Sequence, residues 1–144
     1  MSDIRELDPA ETRLAYTTLL ELRPHLPSLE TFVARVNTTQ RSEGYRLIGS
    51  FMEGTAEPVA VAGFRTLHTL AWGHVLYVDD LITQEAHRNA GHADRLMQWL
   101  IGEAQRLGCD QFHLDSGVQR HVAHRFYFAH GMRISAYHFQ RDFA

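Results

Sequence analysis

Lysine is missing from this chain: all fourteen basic residues among its 144 positions are arginines. Schiff-base catalysis and the lysine-bearing phosphate loop both need an ε-amino group, so neither chemistry is available. Cysteine is nearly as scarce. The single thiol, Cys109, cannot close an internal disulfide, which fits a reducing compartment. No stretch reaches the roughly 18 apolar residues that a membrane-spanning helix needs. The amino-terminus lacks a basic start followed by an apolar run, so no signal peptide is predicted and a cytoplasmic location is expected. Positive charge is not in excess either, because the formal net charge is −3; this argues against a basic nucleic-acid module. Histidine, by contrast, is plentiful at ten residues. The length suits one domain over residues 1–144, large enough to bury a full core.

The pattern along the chain predicts the order α-α-β-β-β-α-β-α-β. Asp8, Pro9 and Glu11 read as cap, first position and capping-box partner of a helix carrying Ala15, Leu19 and Leu22, which Pro24 ends. Ser28 opens a second helix with Leu29, Phe32, Val33 and Val36 on one face. Residues 45–52, 59–70 and 74–83 read as three strands of an antiparallel meander. Ala93, Leu96, Met97, Leu100, Ile101, Ala104 and Leu107 then share one face of a long helix, with Gly108 after its end. A short strand over 112–115, a helix over 119–130 stopped by Gly131, and a last strand over 134–143 complete an α/β domain with a mixed sheet.

Chemistry gathers where the third strand meets the long helix. Arg88-Asn89-Ala90-Gly91-His92-Ala93 opens that helix, so backbone N–H groups and the helix dipole would face an anion there. Gly91 and Ala93 allow close approach, and Arg88 can add charge. A second segment, Arg120-His-Val-Ala123-His-Arg125-Phe126-Tyr127-Phe-Ala-His-Gly131-Met132, is an amphipathic helix with a tyrosine four residues before a glycine.

Together the two segments resemble the acetyl-CoA and tyrosine motifs of the GNAT family of acetyl-CoA-dependent N-acetyltransferases, and the order of elements looks like that family's. The second motif is most similar to that of aminoalkylphosphonate N-acetyltransferases and small relatives of unknown role. The resemblance implies a mixed, mostly antiparallel sheet, splayed between the strand ending near Thr83 and the one starting near Phe112, with the thioester of acetyl-CoA in the gap. It implies that the N–H groups of Arg88, Asn89, Ala90, Gly91, His92 and Ala93 hold the pyrophosphate. Leu81, Ile82 and Thr83 would pair with the pantetheine arm, and Arg120 and Ala123 would add cofactor contacts. Asn89 stands where many members have glycine, and Arg120 where many have asparagine.

The implied reaction moves an acetyl group to a primary amine of a small molecule and releases coenzyme A. An ammonium must lose a proton before it attacks, so a base is required. Tyr77-Val-Asp79-Asp80-Leu81 is similar to an acidic segment of polyamine-acetylating relatives. Asp79 is the preferred base or water-orienter and Asp80 the second choice; strand alternation would turn them to opposite faces. The plain alternative is that both acids are solvated or paired with arginine. Tyr127 would protonate the leaving thiolate or hydrogen-bond to it. His74 and His113 are alternative bases or pocket walls. His121 and His124 are spaced to bind a metal, but no cysteine or HExxH accompanies them, so no metal is expected. Cys109, Trp72, Trp99 and Phe64 read as packing residues. A coenzyme A-binding module without turnover is the rival function. No nucleic-acid or membrane partner is expected, and the last strand could support a homodimer.

Overall fold

The computed structural model describes residues 2–144, with only the backbone of Ser2. These residues fall into two compact units, one running up to His113 and the other comprising Leu114–Ala144.

The first unit is built on a sheet of five strands in sequence order: β1 (Ser2–Leu7), β2 (Arg46–Met52), β3 (Ala60–Thr69), β4 (Gly73–Thr83) and β5 (Gln111–Leu114), whose last residue opens the second unit. The first four strands are antiparallel and β5 runs parallel to β4, so the sheet is the mixed, mostly antiparallel one expected. Helices α1 (Tyr16–Leu22) and α2 (Leu29–Arg35) cover one face, where Leu19, Phe32 and Val36 meet Leu47, Val61 and Ile82. Helix α3 (His92–Arg106) covers the other, with the Trp99 ring edge-on to Phe64 at 5.9 Å. Period-two alternation explains the division: Leu47 faces α1 and α2, while its neighbours Arg46 and Ile48 belong to the α3 side, where Arg46 meets Glu103 at 2.7 Å.

Three expectations need correction. The segment opened by Asp8 is a 3-10 turn over Pro9–Ala15 before α1 begins, so the first helix is shorter than its apolar stripe. Strand β1 was not foreseen. It is an edge strand with few apolar residues, held by its ladder to β2 and by side chains such as Glu6, which accepts from Arg46 at 2.7 and 2.8 Å. Residues 134–143 form no strand, because no neighbour pairs with their backbone; Tyr137, Phe139 and Phe143 are exposed.

The second unit contains α4 (His121–Ala129). Its end is a Schellman motif: Met132 N–H donates to Tyr127 O at 3.1 Å, Gly131 N–H donates to Phe128 O at 3.0 Å, and Gly131 takes φ 79°. The tyrosine-to-glycine spacing seen in the sequence is therefore the reach of a helix stop.

Strand lengths produce the splay. β5 has 4 residues against 11 in β4. It starts beside the beginning of β4, where Asp110 N–H donates to His74 O at 2.6 Å and His74 N–H donates to Asp110 Oδ2 at 2.9 Å. Parallel strands advance together at about 3.3 Å per residue, so β5 runs out near Val78 and does not flank the Asp79–Thr83 half of β4.

Candidate active site

Strand β4 does not alternate evenly. Gly63 pairs with Asp80 and the next residue, Phe64, pairs with Val78, so Asp79 is an extra residue in a β-bulge. A bulge breaks the period-two rule locally. Tyr77, Asp79 and Asp80 consequently line one cavity of about 410 Å³, walled by α1, α2 and the chain between them. The expectation that the two aspartates face opposite ways is overturned by this single added residue.

Each carboxylate accepts two hydrogen bonds. Asp79 accepts from Arg65 Nε at 3.1 Å and Arg65 Nη2 at 2.7 Å. Asp80 accepts from the Tyr45 hydroxyl at 2.7 Å and from Arg23 Nε at 3.2 Å, and Arg23 Nη2 also donates to the Asp79 carbonyl at 3.1 Å. Burial raises the Asp79 carboxyl above its ordinary value, with Arg65 opposing. Burial and the Asp80 charge hold the Tyr45 phenol well above its ordinary range, so it stays a donor. Gly63 makes room for that phenol, since a methyl group there would overlap the Tyr45 hydroxyl. Arg23, Tyr45 and Arg65 were not singled out in the sequence. Only the pairing across β2, β3 and α1 brings them to the acids.

The loop before α3 is pinned at its start, where Gln84 N–H donates to Val59 O and Glu85 N–H to Glu21 Oε1, both at 2.9 Å. Asn89 has φ 65° and Gly91 φ 85°, two left-handed residues that curl the backbone around the helix start. Asparagine is among the few side chains that tolerate this conformation, which accounts for Asn89 at a position otherwise suited to glycine. The first N–H of α3 that closes a helical turn is that of Arg95, to Gly91 O at 3.1 Å. The N–H groups of His92, Ala93 and Asp94 precede it and point out of the helix start.

Side chains around this loop differ from expectation. Arg88 folds back, its Nε donating to Thr83 O at 3.3 Å. Arg95 instead lies over the loop: its Nη2 donates to Ala90 O at 3.2 Å and to His92 Nδ1 at 3.3 Å, and its Nε is buried without a partner. Its signal in the sequence was the four-residue step from Gly91, which puts both on one face of a helical turn. His92 is buried, and burial with the nearby Arg95 lowers its pKa. Its Nδ1 accepts from Arg95 and lies 2.8 Å from Ser50 Oγ, which leaves the ring proton on Nε2.

The remaining candidates separate. Leu81, Ile82 and Thr83 form the last residues of β4, paired on the β3 side with Ala62, Val61 and Ala60. His74 stacks on His68 at 4.2 Å and His113 on Trp72 at 3.9 Å, and neither lines the cavity. In the second unit Arg120 is the exposed N-cap of α4, and Ala123 and Tyr127 are half-buried on it. Burial raises the Tyr127 phenol and Arg120 opposes. Among the described residues no three histidine, cysteine, aspartate or glutamate side chains group as metal ligands, and no helix is long and apolar enough to cross a membrane.

Residues 7–132 match the acetyltransferase (GNAT) family. The uncharacterized N-acetyltransferase YhdJ of Bacillus subtilis (strain 168) is 31% identical over 128 residues, 88% of each chain. A Trypanosoma brucei acetyltransferase superposes with TM-score 0.84 at 20% identity, over 99% of this chain and 100% of that one. AAC(6')-Iy, solved with the bisubstrate analogue CoA-S-monomethyl-acetylneamine, superposes with TM-score 0.85 at 15% identity, over 100% and 99% of the two chains.

Proposed function

Because the chain belongs to the GNAT acetyltransferase family and is an acetyl-CoA-dependent N-acyltransferase, we propose that it acetylates the primary amine of a small molecule held in the cavity at Asp79 and Asp80. The observation that carries this reading is the bulge, which turns both acids into one cavity of small-molecule size.

The loop before α3 suits a pyrophosphate-bearing cofactor. A Cβ at Gly91 would come within 2.9 Å of Arg95 Nη1, so the backbone is bare where an anion must approach. The N–H groups of His92, Ala93 and Asp94 and the guanidinium of Arg95 would hold the phosphates, with Arg88, Asn89 and Ala90 shaping the turn. The free edge of Leu81, Ile82 and Thr83 would take the pantetheine amides. Arg120 and Ala123 are assigned cofactor contacts on their place in the second motif. Bound acetyl-CoA supplies an acetyl thioester and a thiolate as leaving group.

Asp79 takes the proton from the incoming ammonium, directly or through one water. Burial raises its carboxyl, which suits it to accept a proton. Asp80 anchors Tyr45 and Arg23 and so fixes the cavity floor. Tyr127, on its motif position, donates a proton or hydrogen bond to the departing sulfur. Its phenol, raised by burial, stays protonated at neutral pH.

The test is thiol release from acetyl-CoA with a panel of primary amines, paired with mass detection of the N-acetyl product. Amine-dependent release with one product per thiol is expected. Coenzyme A binding without release for any amine would refute the reading.

A further inference from the structure

The charges of the cavity are unevenly paired. Three arginines and two aspartates line it. Arg65 is committed to Asp79 through two hydrogen bonds and lies 3.9 Å from Glu43. Arg23 is shared between Asp80 and the Asp79 carbonyl. Arg35, the last residue of α2, lies exposed at the cavity wall and makes no hydrogen bond or ion pair among the described residues. The two aspartate side chains are 25% and 17% exposed and lie in the enclosed part of the cavity beside Arg65, which is 19% exposed and already committed to Asp79. Gln40, also on the wall, has its Oε1 buried without a donor.

The enclosed part of the cavity therefore offers hydrogen-bond acceptors, and its exposed part offers a spare guanidinium. Two carboxylates alone would favour a purely cationic amine. Here both already carry an arginine, and a second ammonium on the ligand would meet Arg35. We propose that the acceptor is an amine that also carries an anionic group. Its nitrogen sits at Asp79, Asp80 and Gln40 Oε1, and its anion pairs with Arg35, the specificity-determining residue. This rests on the reading that the cavity holds the acceptor.

The experiment compares three amines on one spacer: β-alanine, propanolamine and diaminopropane, repeated with a spacer one methylene longer. Wild type should use the anionic member with kcat/KM about two- to five-fold above the neutral one, with the cationic one last. Arg35→Gln should erase that preference by raising KM for the anionic amine while kcat holds, and Arg35→Lys should restore part of it. Calorimetric titration of the anionic amine, without acetyl-CoA, should show binding weakened by about two- to five-fold in Arg35→Gln, the range open to an exposed guanidinium pair. Melting should not change, because Arg35 has no partner to lose. Equal use of the neutral or cationic amine by wild type would overturn the proposal, as would a preference that survives in Arg35→Gln. Release with other primary amines but with no anionic one would overturn it too, while leaving acetyl transfer standing. No release with any amine would strike acetyl transfer itself.

Discussion

One methyl group added at Gly63 tests the packing that holds the acid pair. An ideal Cβ there would overlap the Tyr45 hydroxyl and Cζ and lie 2.7 Å from Cε1. Carbon atoms pack comfortably at about 3.5–4.0 Å, so the ring or β3 must shift by more than an ångström. Tyr45 has little freedom to do so, being 6% exposed and bonded to Asp80 at 2.7 Å. Overpacking of this kind costs about 1–3 kcal/mol. Losing a buried hydrogen bond to a charged group costs about 1.5–3 kcal/mol more. Gly63→Ala should therefore destabilise the protein by about 2.5–6 kcal/mol, which lowers the melting temperature by roughly 5–24 °C in a chain of this size. Circular dichroism melts measure the shift. Tyr45→Ala empties the contested space, so the double variant should lose less than the sum of the single losses. A Gly63→Ala melt within about 2 °C of wild type, or strict additivity in the cycle, would refute the reasoning.

Asp79→Asn should lower kcat by about 10²–10⁴-fold, the usual worth of a general base. In wild type the acid limb of the pH–rate profile should fall above the ordinary carboxylate range, as burial at Asp79 requires; a limb at or below that range would contradict the assignment. Glu103, bonded by Arg106 and Arg46, has its carboxyl lowered to about 2. Its stabilising contribution is complete above the unfolded value of 4.5 and is lost as pH falls toward 2. Melting curves of Glu103→Gln should be flatter than wild type across that interval. Gly91→Glu combines a side chain at φ 85° with a negative charge at the proposed anion cradle, and titration calorimetry should detect no coenzyme A binding. Tyr127→Phe should reduce turnover more than cofactor affinity, and equal turnover would remove Tyr127 from the chemistry.

Much of the fold could be read from the chain because apolar spacing and caps act locally. The stripe from Leu96 to Ala104 and the Ser28 cap, which accepts from Thr31 N–H at 3.3 Å, are examples. Strand β1 escaped because pairing with β2, a non-local interaction, makes it a strand. The expected last strand failed for the converse reason: exposed Phe139 and Phe143 carry a strand-like pattern with no backbone partner. At the site, the loop around Gly91 was legible because a helix start needs its own local residues. The shared face of Asp79 and Asp80 was not, since a bulge is a property of two strands and leaves no mark in one. Arg95 was overlooked because its role depends on a side chain folding back across a turn.

The bulge also turns residue number into information. Above it, the cavity side of β4 belongs to the even positions Asp80 and Ile82; below it, to the odd positions Tyr77 and Asp79. Deleting Asp79 would therefore do more than remove a carboxylate. The two halves of β4 would fall back into step, and one half would have to show its cavity residues to α3 and its core residues to the cavity. A relative carrying the same residues with one fewer in this strand would align almost perfectly letter by letter and still lack the site. The count of residues between Tyr77 and Ile82 is thus as much a part of the proposed active site as their identities.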